Sequence, residues 1–119
     1  MMESLLTKPW FHSQISREEA VMEVTKGGGA SHGKFLIRNS DTKHGELVLT
    51  FSNQGSAKHL RIQITKSGCR IQHLFFEGVA QVIEYFQKNP LQLDNPTLDT
   101  NTLCLSEVYL TDYIPIKIN

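Results

Sequence analysis

The chain has 119 residues, of which 39% are hydrophobic and 20% charged, so it has enough apolar material for one folded domain and too little charge for a disordered chain. Its 12 basic residues balance 12 acidic ones, which leaves it without the basic excess typical of nucleic-acid-binding proteins. No apolar run reaches the length of a membrane-spanning helix, and residues 1–6 show neither the basic start nor the apolar run of a secretory signal.

The first predicted element is a helix that starts after Ser16. Ser16 and Glu19 have the spacing of a capping box, in which each side chain accepts a hydrogen bond from the other residue's backbone N–H group. Apolar residues between positions 20 and 24 supply one buried face of this helix, and the glycines at 27–29 end it.

Four strand-like segments follow the first helix. Residues 34–38 and 46–51 are largely apolar, whereas residues 57–65 alternate apolar with polar side chains. Residues 69–74 form the fourth segment, after a turn at 66–68. The short connections predict hairpin-linked strands in an antiparallel sheet.

The second predicted helix covers residues 79–86 and ends before Pro90, which cannot continue it. Its apolar positions follow the helical period, at Val79, Val82, Ile83 and Phe86. After a polar tail, residues 108–114 form a last predicted strand. Tyr109 and Tyr113 lie in this segment, either as strand residues or as phosphorylation sites.

The order of elements predicts an α+β fold with a central antiparallel sheet flanked by two α-helices, one on each face. Coverage of both faces explains why the strand at 34–38 does not alternate with polar residues. We expect a single domain over residues 1–119, with its core at about 9–115 and flanking segments at 1–8 and 116–119.

Arg38 stands at the end of an apolar strand, where its guanidinium must meet a fixed anion or reach solvent. One interpretation is an internal ion pair, for which the candidate partners are Glu19, Asp41 and Glu46. The other is a bound ligand, because the turn at 39–42 supplies hydroxyl and backbone N–H donors that can surround an anion. A phosphate suits such a site, since a guanidinium binds two of its oxygens side by side.

Three further residues each allow two interpretations, as a solvated side chain or as part of an anion site. Arg17 begins the first helix and opposes its dipole, so it is either solvated or directed at an anion that the helix end also favours. His59 and Arg61 share one face of the third predicted strand, which is either an ordinary solvated face or part of the same anion site. Convergence of these segments on one side of the sheet would form a deep phosphate pocket.

Four motifs stand out along the chain: Trp10-Phe11-His12, Ile15-Ser16-Arg17, Gly33-Lys34-Phe35-Leu36-Ile37-Arg38-Asn39-Ser40 and Lys58-His59-Leu60-Arg61-Ile62. In their order and spacing the chain resembles a Src-homology-2 (SH2) domain over almost its whole length, from about Trp10 to Ile114. Within that family, further stretches are similar to the Lnk and APS type of signalling adaptor, at 47–51, 57–61, 69–74 and 85–90.

The resemblance implies phosphotyrosine recognition, in which Arg38 grips the phosphate bidentately. It implies that Arg17 reaches both the phosphate and the tyrosine ring, and that Arg61 closes over the ring. The phosphate-binding turn and the histidine that orders the pocket floor are matched by Ser40, Asp41, Thr42 and His59.

Leu60 matches the family position that shapes selectivity for residues after the phosphotyrosine. We expect Ile71 and the loops around the second helix to receive the same residues, and the alternative for both side chains is a plain core position. Ser13 departs from the glycine that family members usually carry there, so we expect a relaxed turn. The polar tail at 91–105 is longer than this branch leads us to expect, which leaves the peptide preference open.

An enzyme is one alternative, and the sequence argues against it. A cysteine phosphatase needs an arginine at the end of the loop that follows its cysteine, but Phe75 stands there after Cys69 and Leu110 after Cys104. The glycines at 27–29 lack the Lys-Ser/Thr ending of a nucleotide-binding loop. We therefore expect no catalysis, no cofactor and no metal, and both cysteines as reduced thiols in a cytosolic protein.

The second alternative is a scaffold of the same fold that binds without phosphotyrosine. The branch resemblance implies instead that the partners are tyrosine-phosphorylated proteins, above all activated receptor or receptor-associated tyrosine kinases. It also implies a cytoplasmic protein recruited to membrane-proximal signalling complexes, with no nucleic acid bound and no membrane insertion.

Overall fold

The computed structural model describes residues 5–92 and 107–116 of the chain. In chain order its helices and strands are β1 Phe11–His12, α1 Arg17–Thr25, β2 Phe35–Asn39, β3 Leu47–Asn53, β4 Ser56–Thr65, β5 Gly68–Ile71, β6 Leu74–Phe76, α2 Val79–Lys88, β7 Leu91–Gln92 and β8 Glu107–Val108. Two short 3₁₀ turns lie at Leu5–Thr7 and Gly28–Ser31. Within the described ranges, the helices are too short and too polar to cross a membrane.

Six strands form one sheet in the order β1-β2-β3-β4-β5-β6, and β7 and β8 form a separate pair. The strands from β2 to β6 are antiparallel, as the sequence predicts. β1 is the exception, because Phe11 pairs with Ile37 in parallel. The chain leaves β1 through α1 before it enters β2, and such a crossover connection brings the second strand back in the same direction.

One helix covers each face of the sheet, which confirms the predicted α+β architecture. Leu36 packs under α1 with Ala20 and Val24, whereas its neighbours Phe35 and Ile37 belong to the larger core on the other face. That larger core holds the apolar stripe of α2. Because both faces are buried, β2 is apolar at consecutive positions up to Arg38.

The capping box that begins α1 forms as predicted. Ser16 Oγ accepts a hydrogen bond from the Glu19 backbone N–H group at 3.1 Å, and Glu19 Oε1 accepts one from the Ser16 N–H group at 3.2 Å. The helix ends at Thr25, and Gly27 then adopts a φ of 89°. The cap fixes the first residue of the helix, Arg17, at the rim of the sheet.

The predicted strand at 69–74 is in fact two strands, β5 and β6. Gln72 has a φ of 56°, a left-handed conformation that reverses the chain between them. Glycine is the usual signal for such a turn, and its absence here makes the segment read as one continuous strand.

The predicted last strand at 108–114 is also wrong for most of its length, because β8 ends at Val108. The backbone beyond it bonds to three different elements instead of to one strand: Leu110 donates to the Phe86 carbonyl, Thr111 to the Gly33 carbonyl and Ile114 to the Phe35 carbonyl. Tyr109 and Tyr113 are both about half exposed, and of the two only Tyr113 makes an isolated bridge, to Phe35.

The remaining predictions on the backbone concern Ser13, the cysteines and the tail. Only Gln54 and Gln72 have a positive φ among the described non-glycine residues, so the turn at Ser13 is relaxed as expected. Cys69 is buried in the core, whereas Cys104 and most of the polar tail lie outside the described residues.

Candidate functional site

The Arg38 side chain lies on the α1 face of the sheet and is only 2% exposed. Its Nε donates to Thr50 Oγ1 at 3.1 Å on the neighbouring strand, and its Nη1 donates to the Asn39 carbonyl at 3.3 Å. Its Nη2 lies 3.4 Å from His59 Nδ1. These contacts are all with neutral groups, so they hold the guanidinium in place without neutralising its charge.

His59 is held neutral by its surroundings. Burial is the main cause, with the nearby positive charges of Arg17 and Arg38, and together they lower the pKa of His59 from 6.5 to about 4 against an opposing effect of Asp41. Because Arg38 can only donate, the Nδ1 atom of His59 must be the acceptor, and the ring proton then sits on Nε2. Thr50 completes this arrangement, since its hydroxyl lies 2.9 Å from His59 Nδ1 while it accepts from Arg38.

The turn between β2 and β3 lies next to the guanidinium. Ser40 Oγ accepts from the backbone N–H groups of Thr42 at 3.3 Å and of Lys43 at 3.0 Å. The Ser40 N–H group donates to the Glu46 carbonyl at 2.9 Å, which closes the base of the turn. Ser40 is half-buried, and Asp41 and Thr42 are exposed at the tip. The turn therefore gathers hydroxyl and N–H groups beside Arg38, where a ligand oxygen can replace Ser40 Oγ as their acceptor.

Of the three internal ion pairs considered for Arg38, only a weak one forms, with Asp41. Glu19 is engaged in the helix cap, and Glu46 Oε1 lies 3.6 Å from Arg61 Nε. Asp41 Oδ1 approaches Arg38 Nη1 to 3.7 Å, beyond hydrogen-bonding distance, and its side chain is 52% exposed. Within ranges 5–92 and 107–116, Arg38 is thus not locked to an acidic side chain.

Positive charge is concentrated around Arg38. Burial lowers the pKa of Arg38 most, Asp41 opposes this effect, and the charge of Arg17 lowers the pKa further. Arg17 is exposed at the start of α1, so its charge acts on the same space as that of Arg38. Arg17 and Arg38 are therefore close enough for their positive charges to repel each other. An anion bound between them would offset this repulsion.

The other predicted residues divide between the site and the core. Arg61 lies on the same face of β4 as His59, with its side chain 60% exposed, and the register through Val48 places it in the same row as Arg38. Leu60 points to the opposite face, where it is half-buried against the larger core. Ile71 is a correction to the sequence-based expectation, because it is fully buried in that core and presents no surface to a peptide.

Thr50 is the site residue that the sequence analysis missed. It is fully buried and links Arg38 to His59, yet the sequence shows it only as a polar residue between the apolar Leu49 and Phe51. The register Thr50↔His59 between β3 and β4 places it, and a single polar residue opposite a histidine in a predicted hairpin is the signal that could have found it.

Two cavities are bordered by described residues, and neither is lined by Arg38, Thr50 or His59. One of about 210 Å³ lies on the α2 side near Leu47 and Val79, and the other of about 470 Å³ lies between Phe11 and Glu23. No group of histidine, cysteine or acidic residues able to hold a metal ion occurs in ranges 5–92 and 107–116. Arg38 and the donors around it form a candidate anion site.

Comparison with known proteins identifies the family. Residues 10–86 match the family model of the SH2 domain, and the chain belongs to this family. It is 49% identical over 87 residues to human SH2B adapter protein 3 and 48% identical over 87 residues to the mouse protein of that name. These alignments cover 72% of this chain but only 15% and 16% of the relatives, so the chain spans about a sixth of their length. The predicted similarity to Lnk-type adaptors is thereby confirmed.

Solved structures show the same fold at lower identity. The SH2 domain of a CRK/CRKL homolog from Monosiga brevicollis superposes with a TM-score of 0.72 at 22% identity, covering 98% of this chain and 93% of that one. The SH2 domain of human VAV1 gives a TM-score of 0.71 at 19% identity, covering 98% and 79%. The VAV1 domain complexed with a tyrosine-phosphorylated peptide from SLP76 gives 0.67 at 18% identity, covering 98% and 78%.

Proposed function

We propose that this chain is a phosphotyrosine-dependent peptide-binding module in which Arg38 grips the phosphate. The observation that carries the proposal is the Arg38 guanidinium, which is buried yet bonded only to neutral groups and loosely approached by an exposed carboxylate. Its fold neighbour, the VAV1 SH2 domain, is described in complex with a tyrosine-phosphorylated peptide, which supports phosphopeptide binding by this chain.

The phosphate gives the Arg38 guanidinium stronger hydrogen-bond acceptors than those it has in the free protein. It carries a charge of about −1.5 to −2 near neutral pH, and two of its oxygens accept from the guanidinium side by side. Ser40 and the N–H groups of the 40–43 turn supply further donors, while Arg17 adds a second positive charge. His59 and Thr50 hold the Arg38 side chain in position before the ligand arrives, which reduces the entropic cost of binding.

Selection of phosphotyrosine over phosphoserine follows from the length of the phosphorylated side chain. Arg38 is carried by a central strand and lies at the bottom of the site, so a short side chain cannot bring its phosphate to the guanidinium. A tyrosine ring spans this gap and presents its π faces to the guanidinium groups of Arg17 and Arg61. An unphosphorylated tyrosine leaves the buried donors without an acceptor, so the phosphate acts as a switch.

The test is a calorimetric titration with a matched pair of peptides, phosphorylated and unphosphorylated, against wild type and Arg38→Ala. Loss of one partner from a buried, hydrogen-bonded charge pair costs about 2–5 kcal/mol, so Arg38→Ala is expected to weaken phosphopeptide binding by about 30-fold to several thousand-fold. Lys88→Ala, at an exposed position in α2, is the matched control and should bind as wild type does.

Two results would contradict the proposal. Equal affinity for both peptides would favour the phosphate-independent scaffold, and unchanged binding by a folded Arg38→Ala variant would remove Arg38 from the site. Arg38→Lys serves as the second variant because it keeps the charge and loses the bidentate geometry, so it is expected to bind more weakly than wild type and more tightly than Arg38→Ala.

In a longer protein, this module would work as the recognition part of a tyrosine-kinase signalling adaptor. The similarity to SH2B adapter proteins supports that role, with tyrosine-phosphorylated receptors or receptor-associated kinases as partners. We propose that the protein acts without catalysis, in the cytoplasm, and is recruited to membrane-proximal complexes by the phosphotyrosine that it binds. Incubation with a phosphopeptide tests the first point, and release of inorganic phosphate would contradict it.

A further inference from the structure

Among the residues that the structure describes, no helix packs on one side of the sheet at β5 and β6. α1 packs on β2, β3 and β4, whereas α2 packs on β5 and β6 from the opposite side. The register pairs Gln63 with Arg70 and Arg70 with Phe75, so these three side chains form one row across β4, β5 and β6. Directly opposed residues point to the same face, and all three are exposed. We call this row of Gln63, Arg70 and Phe75 the open face.

Phe75 is an exposed aromatic side chain. It is 52% exposed, although its neighbours in β6 are turned towards the core. A Cβ atom built on Gly68 would lie 3.0 Å from Phe75 Cζ, so the tip of the ring lies close to Gly68. An exposed aromatic ring offers a large apolar contact area, and with only two side-chain torsions it loses little entropy when it binds.

Arg70 adds a positive charge beside this ring. Within the part of the chain that the structure describes, no acidic side chain forms an ion pair with it. The open face therefore combines one available guanidinium, one amide and one apolar ring.

The open face continues the surface on which Arg38 lies. Arg61 is two residues before Gln63 and shares its face of β4 with His59, so Arg61 lies between the Arg38 site and the open face, with the Glu46 carboxylate 3.6 Å from its Nε. Strands lie about 4.8 Å apart, which puts Arg70 roughly 14 Å and Phe75 roughly 19 Å from β2 across the sheet. An extended peptide advances about 3.4 Å per residue, so it reaches Arg70 after about four residues and Phe75 after about six.

We propose that the open face binds an acidic segment that flanks the phosphotyrosine in the same partner protein. A carboxylate about four residues from the phosphotyrosine pairs with Arg70, and an apolar side chain two residues further along packs on Phe75. Residues two apart in an extended peptide point the same way, which matches the common direction of Arg70 and Phe75. This inference rests on the proposed function and adds a second contact to it.

A flexible acidic peptide fits the open face better than an anionic membrane does. Recruitment to acidic lipids takes clusters of about four to eight basic residues. The open face has a single arginine, and the nearby Arg61 already has the Glu46 carboxylate 3.6 Å from its Nε. One carboxylate is enough to pair with Arg70, and one apolar side chain is enough to pack on Phe75.

The test is fluorescence anisotropy with three labelled phosphopeptides that share the same phosphotyrosine. One has neutral flanks, the second carries Asp and Leu about four and six residues after the phosphotyrosine, and the third carries them at the same distances before it. We expect one of the two acidic peptides to bind wild type about two- to fivefold more tightly than the neutral peptide, since exposed charge pairs contribute modestly. The two arms identify the side of the phosphotyrosine that crosses the open face.

Arg70→Gln should abolish this gain and leave the neutral phosphopeptide bound as by wild type, and Phe75→Ser should reduce the gain. Lys88→Gln is the matched control and should keep it. No gain with either acidic peptide, or a gain that Arg70→Gln retains, would overturn this inference alone. Binding to phosphatidylserine vesicles that is lost in Arg70→Gln, without any peptide gain, would assign the face to lipid and also overturn it. Failure of the neutral phosphopeptide to bind wild type would defeat the proposed function and this inference together.

Discussion

At the scale of the residue, Arg38 stands out because its charge is buried without a firm counter-charge. A guanidinium removed from water normally needs a close anionic partner to offset its desolvation. Here hydrogen bonds from Arg38 to Thr50 and Asn39 offset part of that cost, and the distant carboxylate of Asp41 offsets a little more. A residue held in this state binds an anionic ligand with little rearrangement of its own side chain.

Asp41 is expected to compete with the ligand for Arg38. Its carboxylate lies 3.7 Å from Arg38 Nη1 in the free protein, and it would repel the phosphate in the complex. Asp41→Asn keeps the backbone N–H group of the turn and removes that charge, so phosphopeptide affinity should rise by about two- to fivefold in a calorimetric titration. Glu84→Gln, an exposed change on α2, is the control, and an unchanged or weaker affinity for Asp41→Asn would contradict this role.

His59 is expected to make folding stability depend on pH in mildly acidic solution. The pKa of His59 is lowered to about 4, whereas the unfolded chain takes up the proton below about pH 6.5. The stability that neutral His59 contributes is therefore fully present above about pH 6.5 and is lost as the pH falls towards 4, with a slope of at most about 1.4 kcal/mol per pH unit.

Urea unfolding of wild type and His59→Asn between about pH 7 and pH 5 measures this dependence. The free energy of unfolding should fall more steeply for wild type than for His59→Asn. His44→Asn, in the exposed turn, controls for a histidine outside the site. Parallel pH profiles for wild type and His59→Asn would show that the histidine is not held neutral.

At the scale of the element, β2 carries Arg38 to its place, and Gly33 fixes the start of that strand. Gly33 has a φ of 86°, and a Cβ atom there would lie 2.6 Å from the Tyr109 carbonyl oxygen and 2.7 Å from Thr111 Cγ2. The Gly33 carbonyl also accepts from the Thr111 N–H group at 2.9 Å. The segment at 107–116 is thus anchored where only a glycine leaves room for it.

Gly33→Ala is expected to lower the free energy of unfolding by more than about 2 kcal/mol. The left-handed backbone alone costs about 1–2 kcal/mol, and the clash with a backbone oxygen adds to it. Gly29→Ala is the matched control, because Gly29 has ordinary backbone angles and no atom lies within 4 Å of its added Cβ, so it should change stability by less than about 1 kcal/mol. Similar urea midpoints for the two variants would contradict the close packing at Gly33.

The elements that could be predicted from the sequence are those with strong local signals. The capping box at Ser16 and the apolar period of α2 depend on neighbours within one turn, and both formed as expected. The split between β5 and β6 could not be predicted, because a left-handed Gln72 depends on packing and not on its residue type. The parallel β1 is only two residues long, too short to show any period.

The residues of the candidate site also divide into those that could be recognised from the sequence and those that could not. Arg38 and the donor-rich turn after it can be recognised from the sequence, because an arginine at the end of an apolar strand is unusual. The roles of Thr50 and Ile71 could not, since they depend on strand register and on which face of the sheet each side chain meets.

At the scale of the whole molecule, the sheet joins two cores into one body. The larger core under α2 contains Trp10, whereas α1 covers a separate cluster on the other face. Leu36 and Ile37 are consecutive residues of β2 that enter different cores, so neither face can unfold without disturbing the strand that they share. The phosphate site lies on the α1 side of the same strand.

Unfolding is therefore expected to be a single cooperative transition of one domain. Fluorescence of Trp10, the sole tryptophan, reports on the α2 side, and far-UV circular dichroism reports on all helices and strands. Their urea midpoints should coincide. Separate midpoints would show that the two sides of the sheet fold independently and would contradict the single-domain prediction.

The central claim is that Arg38 meets the phosphate of a bound phosphotyrosine, and the position of that phosphate in a crystal structure of the complex tests it most directly. We predict two phosphate oxygens within about 2.7–3.2 Å of the Arg38 guanidinium nitrogens, with Asp41 displaced from its present approach. A phosphotyrosine bound elsewhere on the molecule, with Arg38 still bonded only to Thr50, Asn39 and His59, would contradict it.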